Sequence, residues 1–215
     1  MKKTLLFGIV SLLWLSIPVK AQLEKGTKYL GGTVNLTGVH GKSSVSTTTK
    51  SNQVNISPEI QLGKFIKDNR LVGLGVGANL NLIWFKDNSN TDDYKNKTNY
   101  NQFFLSPYIR HYKSLNSKFA IFLNSSVDLS YLSIKSQTDF LSSSENGYGI
   151  ALNIVPGISY WITPRFALES DINLLNLGVG YQDFLNTKTV SFNSAVTSSI
   201  PSYFSVRASW YLSKK

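Results

Sequence analysis

From Val72 to Trp84 every second residue is apolar (Val72, Leu74, Val76, Ala78, Leu80, Leu82 and Trp84), and the intervening positions open with Gly73, Gly75, Gly77, Asn79 and Asn81. Successive side chains of a β-strand point to opposite faces, so this run has one oily face and one small or polar face. It is longer than the common strand of about 5–6 residues and than the roughly 9–11 residues that carry a tilted strand across a bilayer. Such a run predicts a membrane strand with its oily face toward lipid. Similar runs recur to the end of the chain, so the pattern speaks to class and location far more than to physiological role.

The amino-terminal end carries a matching export signal. Lys2 and Lys3 precede an apolar stretch from Leu5 to Val19, Pro18 breaks the helical run, and Ala21-Gln22 places a small residue at a cut. This is the layout of a secretory signal peptide, and its apolar centre falls short of the ~20 residues of a spanning helix. Residues 1–21 are therefore expected to be removed after Ala21, leaving 22–215 as one barrel domain. Loss of Lys2, Lys3 and Lys20 lowers the formal charge from +10 to +7. Cysteine is absent, which excludes disulfide staples, thiolate metal sites and a lipidated cysteine behind the signal. An exported chain without disulfides needs another source of stability. A sheet closed on itself supplies one by pairing its edges, which is obligatory in hydrocarbon because no water satisfies an open edge.

Pro58, Pro107 and Pro156 recur at intervals of 49 residues, each followed two positions later by isoleucine (Ile60, Ile109, Ile158). A fixed period signals a repeated supersecondary unit, here a hairpin with its return connection. Alternation yields eight runs, near 29–38, 53–63, 71–85, 100–112, 119–133, 148–161, 166–181 and 202–212. The prediction is an all-β fold, an eight-stranded antiparallel up-and-down transmembrane β-barrel. The seventh run loses phase near Leu174-Leu175, where a β-bulge is expected.

A soluble barrel would alternate as well, but its oily face would line the interior. Here the non-apolar face carries Glu59, Arg110, Asp128, Glu169, Asp171 and Arg207. The apolar face has aromatics near the run ends: Trp84, Tyr131, Tyr148, Phe166, Tyr181, Phe204 and Trp210. Rim aromatics match interfacial girdles, and charges in a narrow lumen can pair there. Connections are short at 64–70, 113–118 and 162–165, and long and polar at 39–52, 86–99, 134–147 and 182–201. Outer-membrane barrels keep short turns in the periplasm, so both termini are expected there, with long, mobile loops outside. The lysines are scattered through turns and loops without a dense run. That distribution speaks against nucleic acid and for attraction to anionic lipid head groups or lipopolysaccharide phosphates.

Three segments carry a family resemblance. They are Pro58-Glu59-Ile60 through Gly63-Lys64-Phe65-Ile66-Lys67-Asp68-Asn69-Arg70, then Ser106-Pro107-Tyr108-Ile109-Arg110, and Pro156-Gly157-Ile158-Ser159-Tyr160-Trp161-Ile162-Thr163-Pro164-Arg165-Phe166-Ala167-Leu168. The chain resembles the small outer-membrane β-barrel family related to OmpX and to OmpA transmembrane domains, in its Bacteroidetes-type form. The resemblance spans essentially the whole mature chain, and its motifs are strand-and-turn patterns without chemistry. It implies a monomer in the outer membrane of a Gram-negative bacterium, inserted by the outer-membrane assembly machinery. Its partners would be outer-membrane lipid and lipopolysaccharide, with envelope or host-surface contacts through the loops. One departure is the end of the chain: such barrels often finish on an aromatic residue read during assembly, whereas Trp210-Tyr211-Leu212 is followed here by Ser213-Lys214-Lys215.

Some small barrels of this kind are lipid-A-modifying enzymes with a His, Ser and acid arrangement. His40 opens the first long connection near Ser43 and Ser44, and His111 falls on the outward phase near a short turn. A triad is recognised by geometry, and a lone loop histidine beside serines is read as solvated. No catalytic residue is assigned, and the expected role is structural or interactive, the alternatives being a lipid-modifying enzyme or a narrow transport channel. Asp87, Asp92 and Asp93 sit among Lys86, Lys95 and Lys97 without EF-hand spacing, so neither metal nor cofactor is expected. Gly73, Gly75 and Gly77 open no helix and are read as close packing in a narrow barrel. Phase aims Gln61, Phe104, Tyr108 and Phe122 inward, and eight strands leave an interior that side chains can fill, so no open pore is expected. Glu59, Arg110, Glu169 and Arg207 lie at similar depths above the short-turn end. They are expected to meet in a structural ionic cluster, Glu169 pairing directly with Arg207, and Glu59 facing Arg110 across the third strand or through water.

Overall fold

The computed structural model describes residues 23–43, 48–89, 92–138, 141–172, 176–185, 187–195 and 204–212. The expected signal peptide, Ser44, Leu174-Leu175 and Ser213-Lys214-Lys215 lie outside them. Ten strands are described: β1 (Lys28–Ser43), β2 (Thr48–Lys67), β3 (Arg70–Ser89), β4 (Asp92–Ser114), β5 (Phe119–Thr138), β6 (Ser142–Thr163), β7 (Phe166–Ile172), β8 (Asn176–Phe184), β9 (Thr187–Ala195) and β10 (Phe204–Leu212). From β1 to β6 each strand pairs antiparallel with the next. β6 then pairs with β7 near its end and with β8 further back, while β8 pairs with β9 and β7 with β10. Thus β7 with β8, and β9 with β10, are two long strands each in two pieces. β10 returns to β1 from Lys28↔Leu212 to Gly32↔Ala208, closing the eight-stranded antiparallel barrel that alternation predicts.

The seventh strand explains its own loss of phase. Between the pairs Ile154↔Leu177 and Gly157↔Asp171, β6 has two residues and the facing chain has five. An odd excess of three exchanges the inward and outward sets. Ala167 and Glu169 are buried in β7, whereas the buried position in β8 is the even-numbered Gly178.

Alternation decides which side meets lipid. In β5, Phe119, Ile121 and Leu123 are exposed while Ala120 and Phe122 between them are buried. Ile60, Leu62, Val76, Leu105, Leu129 and Leu152 are likewise exposed, the reverse of a soluble barrel. At the short-turn end Phe119 packs on Tyr160 with centroids 4.7 Å apart, and Phe166 on Trp210 at 5.1 Å. Nearer the other end Phe103, Tyr131 and Tyr148 share one cross-strand row. Trp84, Tyr181 and Trp210 are also exposed as expected; the side chain of Phe204 lies outside the description. The twelve steps from Phe119 to Tyr131, at a rise of ~3.4 Å and a tilt near 40°, climb about 30 Å, a bilayer's hydrocarbon thickness.

The segments expected as long loops are mostly ladder. Pairing continues to Ser43↔Thr49 between β1 and β2, Ser89↔Asp92 between β3 and β4, Gln137↔Ser142 between β5 and β6, and Phe184↔Thr187 between β8 and β9. Beyond the apolar band the described side chains are mostly exposed or half-buried on both faces, so the sequence loses its alternation while the backbone goes on pairing. At the opposite end β2 and β3 meet in the two-residue turn Asp68-Asn69, where Asn69 takes φ 61°, a left-handed conformation that asparagine tolerates.

Candidate functional site

The lumen near the short-turn end gathers groups that the sequence spreads over the whole chain. Glu169 projects inward from β7, beside Ser159 of β6 and Arg207 of β10, its register partners. Its Oε2 accepts from Tyr29 Oη at 2.5 Å, Arg110 Nη1 at 2.7 Å and Ser209 Oγ at 3.0 Å. Its Oε1 accepts from Tyr211 Oη at 2.6 Å and from Ser159 Oγ and Tyr112 Oη at 2.9 Å. A carboxylate has about four lone-pair sites, so six donors more than saturate it. Glu169 is 1 % exposed and Arg110 is fully buried. Arg110 also donates from Nη2 to Gln61 Oε1 at 2.8 Å and from Nε to Asn124 Oδ1 at 3.2 Å. Its guanidinium lies 4.6 Å from the Phe122 ring centroid and 5.3 Å from that of Tyr108, a favourable face for a buried cation.

The four residues expected to meet do so unequally. Arg110 and Glu169 are in direct contact, and Arg207 lies 3.6 Å from Glu169. The shortest ion pair of Arg207 is instead with Asp171, at 2.6 Å. Glu59 reaches the group through Gln61, whose Nε2 donates to Glu59 Oε1 at 2.6 Å. The expected order of pairing therefore changes. Arg110 crosses the lumen to take the carboxylate, while Asp171, two residues along the same face of β7, takes Arg207. Sequence reasoning missed Tyr29, Tyr112, Tyr211, Ser159 and Ser209. Phase held the signal: Tyr112 stands two residues from Arg110, and Ser209 and Tyr211 stand two and four from Arg207, all on the inward set.

Beneath this cluster an aromatic floor closes the short-turn end. Trp161 packs on Tyr211 at 5.4 Å, Phe65 on Tyr112 at 5.6 Å, and Tyr112 on Phe122 at 5.6 Å. Leu23 completes the floor, its carbonyl accepting from the Asn69 amide at 2.8 Å. Glycines make room for the rings: a Cβ at Gly73 would strike Tyr108, one at Gly77 would strike Phe104, and one at Gly157 would strike Phe122. Above the cluster lies a polar cavity of about 360 Å³ lined by Glu59, Asn79, Gln102, Asp128, Asn153 and Arg207 among others. Asp128 accepts there from Asn153 Nδ2 at 2.6 Å.

The arrangement pairs buried charges and fills the lumen at this level with side chains, and its hydroxyls are engaged as donors to a carboxylate. His40 is exposed on β1 with Nδ1 2.5 Å from Asn52 Oδ1, and His111 is exposed near the turn end of β4. Ser44 and the side chains of Ser43, Asp87, Asp92 and Asp93 lie outside the description. Among the described residues no group of three or more His, Cys, Asp or Glu is placed to hold a metal ion.

No protein-family model matches the sequence, and no curated protein matches it. Among solved structures the chain is similar to Ail, the attachment invasion locus protein of Yersinia pestis, with a TM-score of 0.42 and 9 % identity over 87 % of this chain and 98 % of that one. It is also similar to Neisserial surface protein A (NspA), with a TM-score of 0.38 and 17 % identity over 87 % of this chain and 99 % of that one. Likeness this distant carries no argument about activity or partners. By its own strand pairing and outward apolar band, the chain is an eight-stranded antiparallel β-barrel of the transmembrane type.

Proposed function

We propose that this chain is a small outer-membrane barrel of the OmpX-like kind, exported and cleaved after Ala21, that acts as a closed structural or interaction module. The observation that carries the reading is the Arg110–Glu169 cluster set on an aromatic floor inside an apolar-out barrel. A solute entering the polar cavity meets that layer and finds no continuous aqueous path. Glu59, Arg110, Glu169 and Arg207 have a structural role on this reading, holding the lumen shut and the strands in register. The short turns face the periplasm, and the polar ends of the hairpins stand beyond the apolar band, where they meet lipopolysaccharide, envelope proteins or host surfaces. Two measurements test it together. The mature protein is expected to fractionate with outer membranes and to migrate faster unheated than boiled, because a closed barrel resists detergent. In planar bilayers it is expected to give no steady, large single-channel current. Soluble monomer without detergent would overturn the membrane reading, and steady channels would replace it with the narrow-channel alternative.

A further inference from the structure

The polar cavity above the ionic layer carries more negative charge than its own residues neutralise. Glu59, Asp128, Asp171 and Arg207 line it, and Arg110 and Glu169 form the layer beneath. Arg110 is paired with Glu169 at 2.7 Å and Arg207 with Asp171 at 2.6 Å. Two carboxylates are left over. Glu59 accepts at Oε1 from Gln61 Nε2, and Asp128 accepts at Oδ2 from Asn153 Nδ2, each at 2.6 Å and each from a neutral amide. Among the described residues no cation forms an ion pair with either. They stand on β2 and β5, with β3 and β4 between, so the two anions project from well-separated walls of one cavity. Like charges repel more strongly in such an interior than in water, and a cation set between them relieves both.

Arg207 is a second and independent sign of a ligand. It is 3 % exposed, it lines the cavity, and its Nε has no acceptor. A buried guanidinium donor without an acceptor is a standing cost that a ligand oxygen removes. Phe104 and Tyr108 bring aromatic rings to the same wall, and a ring face attracts an ammonium group. Beyond the cavity, Tyr100, two residues along β4 from Gln102 of its wall, packs edge-on against Phe184 at 6.1 Å. The site therefore lies between the aromatic floor and a second apolar layer. Among the described residues no group of three or more His, Cys, Asp or Glu is placed to hold a metal ion, so an organic cation suits the charge better than a divalent metal. We propose that the cavity binds a small solute with two ammonium groups and an acceptor oxygen, in the class of the basic amino acids. Each ammonium has three donors for Glu59 or Asp128 and the amide oxygens around it, and the solute's carboxylate accepts from Arg207 Nε. At about 360 Å³ the cavity lies at the small end of the ~300–1,000 Å³ range of ligand pockets, which suits a single amino acid. This inference rests on the membrane-barrel reading and adds to it a ligand held in the lumen without passage.

The test uses the full mature chain in detergent micelles at low salt, titrated in a calorimeter with three probes of similar length. These are lysine, norleucine, which lacks the second ammonium, and cadaverine, which lacks the carboxylate. Lysine is expected to bind at least about tenfold more tightly than either, since each loses one charge-assisted contact. A combined Glu59→Gln and Asp128→Asn variant is expected to lose about tenfold or more in lysine affinity while keeping the fast unheated gel form. Should that variant fail to fold, the three probes on the unmodified chain still decide the matter. Absence of measurable lysine binding, equal binding of lysine and norleucine, or undiminished binding by the folded variant overturns the proposal. Cadaverine binding as tightly as lysine also overturns it, because Arg207 then contributes nothing. Absence of a heat-sensitive gel form in the unmodified chain would sink the membrane reading itself, a failure distinguishable from loss of lysine preference alone.

Discussion

Glu169 concentrates more of the lumen's polar energy than any other side chain described, because two arginines and five hydroxyls converge on it. Glu169→Gln leaves Arg110 buried without its counter-charge and turns one carboxylate oxygen into a competing donor. A loss of about 3–5 kcal/mol is expected, read from urea unfolding of the vesicle-inserted barrel; a change under about 1 kcal/mol would mean that the lumen hydrates these groups separately. The distances also rank the pairs. A double-mutant cycle on Arg110→Met and Glu169→Gln is expected to return a larger coupling than one on Arg207→Met and Glu169→Gln, since the first pair is 2.7 Å apart and the second 3.6 Å. Equal couplings would contradict that order. The inward placement of all three residues was legible from alternation alone. Their partners were not, because phase says which way a side chain points and nothing about how far across a lumen it reaches.

At the scale of elements, the inward glycines and the outward aliphatics are two sides of one pattern. Gly157 faces the Phe122 ring across the β5–β6 pair, where any Cβ must displace the ring. Gly157→Val is expected to cost about 1–3 kcal/mol through overpacking, with partial recovery when Phe122→Leu is added; the check is whether the double variant unfolds at higher urea than the single one. On the opposite face Leu123→Arg, near the middle of the β5 span, is expected to cost about 2–4 kcal/mol because the guanidinium must enter hydrocarbon. Full tolerance of that change would reverse the assignment of faces. The extent of the strands escaped the sequence for a related reason. Residues 40–43, 86–89 and 135–138 are polar or glycine on both phases, so the period-2 signal ends with the membrane while the hydrogen-bonded ladder runs on to Ser43, Ser89 and Thr138.

For the molecule as a whole, closing the sheet and filling the lumen are separate achievements. β1 meets β10 through a short register, and the lumen is then filled from five or more strands by rings and one ionic layer. Arg110→Ala combined with Glu169→Ala removes the layer while leaving Trp161 and Phe65 beneath it. Bilayers containing that variant are expected to show at most brief, small openings, because the aromatic floor still blocks the path; steady conductance would place the seal in the ionic layer alone. The sequence by itself determined the all-β class, eight membrane-crossing runs, the outward oily face and the inward charges, since each of these follows from alternation between neighbours in the chain. Only the tertiary structure decided that Arg110 rather than Arg207 grips Glu169, that Asp171 takes Arg207, and that Glu59 and Asp128 line one cavity. Those relations depend on the register of each strand against the next and on how the barrel closes, which are long-range quantities that a period of two, repeated identically under any register of the same parity, leaves open.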